Sequence, residues 1–541
     1  MNRVTSFVSA LAIWSLSYAV ALPQMPGMDM PTQLGRVEFQ NSCSPQVKKH
    51  LDTGVAALYS FWFAESHQLF ERVTKEEPDC AIAYWGLAMS DYEQIEGRSL
   101  PEGAQLADGQ AAITSGEAAA RKTLREAAYI NAIAIIFDAN GIPDHDQRVQ
   151  RVQRVQRVQR FSAAMGAISA AYPLDRQAAV IYAMSLLKDG MPADPDLVRT
   201  RKALAILNGV LQAEPDNPGV AHFIIHAADN PQMASLGLPA ARRYAKVAPA
   251  APHALHMPSH IFARLGLWDE VIRSNLASEK ASEQPSLIHT EAQNRMHAME
   301  FLQYAYLQTG QDAKAVDVAR EAATISQTDF GPGFRQYWPL KATGFPSRQV
   351  LETRDWPAAL ALEPASGSDV LARQIVYWTH SVAAGHLRNA QAAEQALAAY
   401  EATLSPSDLN AMKVHPRTQW AEVKAWALFA EGQNGAAVAL LRPIADRQDH
   451  IGKGEVELPA REMMGDMLRL AGRSADALHE YRLSLLADPG RLNTLLHAGE
   501  IAESLGLKPE AATYYSLLRA NTRDASPLSS QALAPARTFE Q

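Results

Sequence analysis

Two adjoining stretches near the C-terminus decide the fold of this chain: Gly465–Gly490, GDMLRLAGRSADALHEYRLSLLADPG, and Gly499–Ala520, GEIAESLGLKPEAATYYSLLRA. Each begins with a glycine, has a second glycine at a turn, and continues with an alanine and a tyrosine at helical spacing. Small residues suit the places where two helices touch, and Pro489 stands where a second helix must stop. The two stretches therefore predict two consecutive helix–turn–helix units.

The same pattern recurs upstream. Units or inter-helix turns are marked by Gly54, Phe70, Pro78, Ala203, Leu207, Pro215, Gly266, Gly310, Gly385 and Gly432. A helix–turn–helix unit with a period near 34 residues is the tetratricopeptide repeat (TPR). The sequence predicts an all-α fold, a TPR-type α-solenoid of about ten units, some of them degenerate, over residues 46–525.

Composition sets limits on the kind of protein. The chain has 541 residues, 47% hydrophobic and 20% charged, with a formal net charge of −8. A single core stops growing near roughly 250–300 residues, so this length indicates several domains or an extended repeat array. The sequence predicts no basic face of the kind that binds nucleic acid.

The first residues are typical of a secretory signal. Arg3 supplies a positive start, Phe7 to Val20 is a short apolar run, and Ala19-Val20-Ala21 gives the small-residue cleavage pattern. We expect a signal peptide over 1–21 and a secreted or periplasmic protein. The run is shorter than the about 20 apolar residues of a membrane span, and no later segment qualifies. Residues 22–45 are predicted to be a Met- and Pro-rich lead-in, and 526–541 a disordered tail.

Cys43 and Cys80 are the only cysteines. Because an exported protein meets an oxidising compartment, we expect a disulfide between them. Two buried free thiols are the alternative, since a sequence does not give the Cα distance.

The stretch 148–160 repeats Arg-Val-Gln. A period of three drifts around a helix of 3.6 residues per turn, so the valines form no steady apolar stripe. One interpretation is a basic patch that binds a partner. The other, which we favour, is an expanded repeat tolerated as an exposed helix or loop, because a solvated charge run needs no partner.

The stretch 218–275 contains the motifs PGVAHFIIHAADNP and HALHMPSHIFARLGLWDEVIRSN, and CAIAYWGLAMS and LPAREMMGDMLRLAGRSADAL occur elsewhere in the chain. With these motifs the chain resembles a group of exported TPR proteins common in bacteria. The resemblance covers nearly the whole chain and implies a TPR fold and export. The resemblance implies no established activity for the chain. The Arg-Val-Gln repeat departs from the pattern of that group.

Histidines give the most informative chemical pattern. His222 and His226 are four residues apart, as are His256 and His260, so each pair projects from one face of a helix. Both pairs take the fifth and ninth positions of a unit's first helix, which in TPR proteins face the concave groove. Further polar residues fall at or near such positions: Asp229, His297, Glu300 and Tyr304. We expect these eight side chains to line one stretch of groove.

Three interpretations of this set stay open. The first is a scaffold or binding protein that holds a protein, peptide or small ligand in the groove. The second is a zinc or copper site at His222, His226, His256 and His260, in a metal-handling protein or a metal-dependent enzyme, because paired imidazoles chelate these ions. The third is histidines that only hydrogen-bond across packed helices.

Catalytic residues are not predicted. Neither histidine pair has the internal glutamate of a HExxH metalloprotease, and the chain has no Gly-rich phosphate loop or GxSxG elbow. Met25, Met28 and Met30 follow the cleavage site. They suggest either soft ligands for copper(I) or a linker that contains methionine by accident.

Overall fold

Helices joined by short loops make up the structure. The computed structural model describes residues 33–92, 100–101, 103–138, 147–187, 194–283, 288–330, 335–364, 368–414, 417–454, 457–526 and 533–539. Within these ranges backbone pairing of the β type is limited to one isolated bridge between Cys80 and Arg121. None of the helices found there combines the length and the apolarity needed to cross a bilayer. The predicted all-α fold class is confirmed.

The N-terminal helices each pack against the next one along the chain. They are α1 Lys48–Tyr59, α2 Phe63–Glu76, α3 Ala81–Asp91, α4 Gly103–Ala118, α5 Leu124–Ala134, α6 Gln147–Ala171, α7 Arg176–Leu187 and α8 Val198–Leu211. The predicted disulfide is present: Cys43 and Cys80 are bonded, with their Cα atoms 5.0 Å apart. It ties the segment before α1 to the start of α3.

The middle helices carry the histidines. They are α9 Pro218–Ala228, α10 Ala234–Val247, α11 Pro252–His256, α12 Pro258–Arg264, α13 Trp268–Ser282, α14 Ile288–Gln308 and α15 Asp312–Ala322. Two short 3-10 helices follow, Gln327–Asp329 and Arg335–Tyr337.

The C-terminal helices continue the same arrangement. They are α16 Trp338–Glu352, α17 Trp356–Leu360, α18 Val370–His386, α19 Ala390–Glu401, α20 Pro406–Val414, α21 Thr418–Ala430, α22 Asn434–Ile451, α23 Ala460–Leu470, α24 Ser474–Ala487, α25 Leu492–Ser504, α26 Lys508–Asn521 and α27 Ala534–Thr538.

A recurring glycine–aromatic contact identifies the repeat. In each case a glycine of one helix contacts the aromatic ring of the residue sixteen positions later, which lies in the next helix. A Cβ on the glycine would lie 2.5–3.1 Å from that ring in the pairs Gly54–Phe70, Gly166–Tyr182, Gly465–Tyr481 and Gly499–Tyr515. Only glycine allows the two helices to approach so closely. The same contact at both ends of the chain is what a TPR-type α-solenoid requires.

Both ends of the array also pack against its middle. Helix α1 contacts α9, and α14 contacts α25. The indole of Trp268 donates to the carbonyl oxygen of Gly490 at 2.8 Å. The histidine-bearing helices are therefore covered by units that are distant from them in sequence.

Two of the predicted segments are described in part. Of the lead-in 22–45, residues 33–45 pack onto the array: Leu34, Val37 and Phe39 are buried. Of the tail 526–541, residues 533–539 contain α27, whose Ala536 is buried. Apolar side chains in both described parts therefore cover hydrophobic surface of the array. The signal peptide over 1–21 and the three leader methionines lie outside the described residues.

The Arg-Val-Gln repeat lies in α6. Its Val158 is buried, and Phe161, Met165 and Ile168 continue the buried stripe at helical spacing. The apolar residues after the repeat thus determine which side of α6 faces the core. The repeat was expected to be an exposed helix or loop, but its Val158 is buried.

Candidate functional site

Three short helices position five of the six histidines at this site, and the sixth, His297, lies on the longer helix α14. His222 and His226 lie on α9, which begins at Pro218 with the side chain of Asn217 accepting from the Gly219 amide at 3.0 Å. His253 and His256 lie on α11, and His260 lies on α12. Pro258 interrupts the hydrogen bonds between α11 and α12, but Met257 keeps helical dihedrals (φ −52, ψ −35). His256 and His260 therefore stay on one face.

Cluster A consists of His222, His226 and His253. The Nε2 atom of His222 lies 3.0 Å from Nε2 of His226 and 3.2 Å from Nε2 of His253. On its other side, His222 Nδ1 donates to the carbonyl oxygen of Tyr59 at 2.6 Å. A carbonyl only accepts, so the Nδ1 of His222 carries the hydrogen and its Nε2, in the neutral ring, presents a lone pair to the cluster.

Phe61 covers cluster A. Its ring centroid lies 4.4 Å from that of His222 and 5.1 Å from that of His253. Its backbone has a positive φ of 53°, which is uncommon for a bulky residue. Such strained residues concentrate at functional sites, and this one turns an aromatic ring over three imidazoles.

Cluster B consists of His256, His260 and His297. The Nε2 atoms of His256 and His260 lie 3.0 Å apart, and the ring of His297 is 4.6 Å from that of His256, centroid to centroid. One nitrogen from each of the three rings lies within 4.8 Å of the others, as is also true of cluster A. The two clusters are neighbours, since the rings of His253 and His256 are 6.0 Å apart.

Hydrogen bonds fix the orientation of the cluster B rings. His260 Nδ1 donates to Asp229 at 2.9 Å. His256 Nδ1 lies 2.6 Å from Asn275 Oδ1, and the amide group of Asn275 is itself oriented because its Nδ2 donates to Val271 O at 2.8 Å. Both Nδ1 atoms are thus donors. When both rings are neutral, their Nε2 lone pairs therefore point at each other across 3.0 Å.

Lone pairs at that distance repel unless a cation lies between them. Two imidazole nitrogens bound to one tetrahedral zinc ion, at about 2.0–2.1 Å each, lie about 3.3 Å apart. The distances from His222 Nε2 to its two neighbours, 3.0 and 3.2 Å, and the 3.0 Å between His256 and His260 are close to this value. The partners of the outer nitrogens are a carboxylate, an amide oxygen and a backbone carbonyl, which is the second layer of contacts that metal-binding histidines typically have.

Burial keeps three of these six rings neutral. The side chains of His222, His253, His256 and His260 are buried, and His226 and His297 are half-buried. Desolvation, and then the neighbouring imidazoles, hold the pKa values of His222, His253 and His256 well below the ordinary histidine value. The uncharged imidazole is the form that ligates metals.

Two carboxylates beside cluster B are ionised. Burial raises the pKa of Asp229, but the Arg264 guanidinium and His260 outweigh this effect and hold it well below the usual range. Burial likewise raises the pKa of Glu300, and Lys341 and His297 hold it low. Glu300 lies 3.2 Å from His297 Nδ1. Each carboxylate therefore serves as an anionic partner for one ring.

The structure brings seven of the eight predicted side chains together. His222 and His226 are in cluster A, while His256, His260 and His297 are in cluster B, with Asp229 and Glu300 against it. Tyr304 points elsewhere, because its hydroxyl accepts from the buried guanidinium of Arg491 at 2.6 Å. It faces His260 only across a small cavity of about 10 Å³, large enough for about one water molecule.

Two features of the site differ from the prediction. His253 was missed, although its place three residues before His256 puts it on the same side of a helix. The rings are also buried between helices instead of lining an open groove. The units at both ends of the chain cover them, and a repeat pattern alone does not predict such long-range packing.

Comparison with known proteins identifies no family. No protein-family profile matches the chain, and no curated protein matches it. Similar solved structures include the TPR domain of P58(IPK), with 12% identity and a TM-score of 0.18 over 91% of this chain and 97% of that one. They also include the APC/C hetero-tetramer Cut9–Hcn1, with 11% identity and a TM-score of 0.28 over 92% and 97%, and Naa15/Naa10 bound to HypK-THB, with 14% identity and a TM-score of 0.26 over 91% and 81%. TM-scores below 0.5 carry no weight, so the TPR-type fold rests on the chain's own helix packing.

Proposed function

We propose that this chain is an exported helical-repeat protein that binds zinc or copper ions in clusters A and B. The His256–His260 pair carries the proposal: both outer nitrogens are donors, so two lone pairs meet at 3.0 Å. Imidazole ligands suit both ions. An ion there would join α9, α11, α12 and α14, and so stabilise the middle of the array.

A proton is the main competitor of a metal. If His260 carried a second proton, it would donate to His256 and remain paired with Asp229. In cluster A, His226 and His253 can each carry their hydrogen on Nε2 and donate to the Nε2 lone pair of His222, so direct hydrogen bonds compete with an ion there too. The proposal therefore rests on the His256–His260 pair, and it extends to cluster A because three ring nitrogens converge there as well.

A protein, peptide or small organic ligand held at these rings stays a prediction. The buried fraction of the rings speaks against it, because a ligand would have to separate helices to reach them. The cavity beside His260 has space for about one water molecule. The array can bind a partner elsewhere on its surface, while the histidines themselves fit an ion best.

Metal content tests the proposal. The protein is prepared without a metal-affinity tag, equilibrated with zinc or copper and desalted, and the bound metal is measured by mass spectrometry. We expect at least one tightly held ion per chain. The double variant His256→Ala/His260→Ala should lose the ion of cluster B, and His479→Ala, on an exposed face of α24, should keep the wild-type content. A metal-free wild-type protein, or a double variant with unchanged content, contradicts the proposal.

Export is tested separately. The pattern Ala19-Val20-Ala21 and the Cys43–Cys80 bond are both compatible with an oxidising compartment. We expect the mature protein to begin at Leu22 and to be found outside the cytoplasm. N-terminal sequencing of material from the culture medium or periplasm decides, and an intact Met1 there would overturn this part.

A further inference from the structure

Clusters A and B are built in the same way from successive helical units. Cluster A takes a pair of rings from α9 and its third ring, His253, from α11. Cluster B takes a pair from α11 and α12 and its third ring, His297, from α14. Each cluster thus combines two rings four residues apart with one ring from the next unit. Within the described ranges these are the two groups of three ligand atoms close enough together to hold an ion.

Turn residues show that the third rings are equivalent. Gly266 and Gly310 each follow the first helix of a unit, and both have a φ of 67°. His253 lies thirteen positions before Gly266, and His297 lies thirteen positions before Gly310. Equivalent positions of successive repeats stack side by side, so the two clusters form consecutive steps of one ladder.

The next step of this ladder contains a cation of the protein itself. Lys341 lies thirteen positions before Arg354, which also has a positive φ, 57°. The ammonium nitrogen of Lys341 lies 2.5 Å from a carboxylate oxygen of Glu300 and 3.5 Å from Nδ1 of His297. This row of positions therefore accommodates a positive charge in its third step, and the histidine ladder ends after two.

An aromatic ring covers each cluster. Phe61 lies over cluster A. The ring centroid of the buried Phe301 lies 5.0 Å from that of His256, 4.7 Å from that of His260 and 5.3 Å from that of His297. Both clusters are therefore shielded from water on that side, and charges interact more strongly there than they do in solvent.

Distances place the two clusters side by side. Helix α9 packs against α12, and α11 packs against α14. The axes of packed helices are about 8–10 Å apart. The rings of His253 and His256, one from each cluster, have centroids 6.0 Å apart. An ion about 2 Å from a ring nitrogen lies about 3 Å from the ring centre, so ions in the two clusters would be at most about 12 Å apart.

The carboxylates beside the clusters do not cancel the repulsion between two ions. Asp229 lies 2.8 Å from Nε of Arg264, and Glu300 is paired with Lys341. Both acids are thus already matched by cations of the protein. Two double positive charges about 10 Å apart repel each other strongly even at the effective dielectric constant of a protein surface.

We propose that clusters A and B form one two-ion centre, in which the ions lie about 8–12 Å apart and the binding of either ion weakens the binding of the other at least about tenfold. This inference rests on the proposed function, since it concerns the same two clusters. Thermodynamic linkage makes the effect equal in both directions. The protein then holds its first ion tightly and releases its second one readily.

A copper(II) titration of chelator-treated protein measures this coupling. His226→Ala leaves cluster B intact and His297→Ala leaves cluster A intact, and both side chains are half-buried. We expect each variant to bind one ion and wild type to bind two. The second step in wild type should be at least about tenfold weaker than binding to the weaker of the two variants. His479→Ala, on an exposed face of α24, should titrate as wild type does.

Pulsed electron paramagnetic resonance of wild type with two bound copper(II) ions measures their separation. We expect a distance of about 8–12 Å, and no spin coupling in either variant, which has one ion. Circular dichroism checks that the variants fold. If one of them does not, the distance in wild type decides.

The outcomes separate this inference from the proposed function, and a parallel titration with zinc applies the same affinity test. If wild type binds neither metal, both proposals fail. If wild type binds two ions with the affinities of the two variants, or two ions farther apart than about 12 Å, the metal function stands and the two-ion centre is overturned. Binding of a single ion even at excess metal overturns the two-ion centre as well.

Discussion

Replacing Gly465 by alanine should loosen the C-terminal units. A Cβ at this position would lie 2.5 Å from Cε1, 2.6 Å from Cδ1 and 3.0 Å from Cζ of Tyr481. Carbon atoms pack best at about 3.5–4.0 Å, so the ring must retreat by roughly 1 Å. Retreat is opposed because Tyr481 is buried and its hydroxyl donates to Asp466 at 2.5 Å.

The expected cost follows from these contacts. Overpacking a filled interior costs about 1–3 kcal/mol, and disturbing the hydrogen bond adds roughly 1 kcal/mol. The higher helix propensity of alanine relative to glycine stabilises α23 by about 1 kcal/mol and offsets part of this cost. We expect a net loss of about 1–3 kcal/mol, and a larger loss for Gly465→Leu.

Urea unfolding and hydrogen exchange measure this effect. Because repeats couple mainly to their neighbours, the loss of protection should be centred on α23 to α26. Gly209→Ala is the matched control: nothing lies within 4 Å of its added Cβ, and the propensity gain should stabilise α8 by about 0.5–1 kcal/mol. A Gly465→Ala protein as stable as wild type, or uniform loosening from Ser60 to Leu518, would refute the reasoning.

Three further predictions concern the disulfide, a buried ion pair and pH. Cys43→Ala/Cys80→Ala opens a loop with a sequence separation of 37 and should lower the free energy of unfolding by about 4 kcal/mol in the chain-entropy model. Urea titration measures this loss, and an unchanged unfolding midpoint would contradict the prediction. Arg491→Met removes the guanidinium that pairs with the buried carboxylates of Glu352 and Glu462 and should cost about 3–5 kcal/mol, which would be measured as a lower melting temperature at neutral pH. An equal or higher melting temperature would contradict this prediction. In chelator-treated protein, burial lowers the pKa values of His222, His253 and His256, so below about pH 6.5 the unfolded chain binds more protons than the folded one. The free energy of unfolding should therefore fall, as the pH is lowered, by up to about 1.4 kcal/mol per pH unit for each ring. A melting temperature that stays constant between about pH 6.5 and 5 would contradict this prediction.

Local patterns predicted the helices and the pairing of histidines. The glycine–tyrosine spacing of the last units depends on two adjacent helices only, and the i, i+4 pairs depend on one. Both features are fixed by short-range geometry. They are found in the structure as the sequence indicates.

Long-range packing could not be predicted from the sequence pattern. The partner of Tyr304 is Arg491, which is 187 residues away, and no repeat pattern specifies that contact. The burial of the histidines depends on the same closure of the array.

Anomalous diffraction tests the central claim most directly. Crystals of the protein, equilibrated with zinc or with copper, are measured just above and below the absorption edge of each metal. The account predicts a peak within about 2.0–2.1 Å of the Nε2 atoms of both His256 and His260, and a second peak among the rings of cluster A. Two clusters without an anomalous peak, with water or a direct hydrogen bond between the imidazoles, would contradict it.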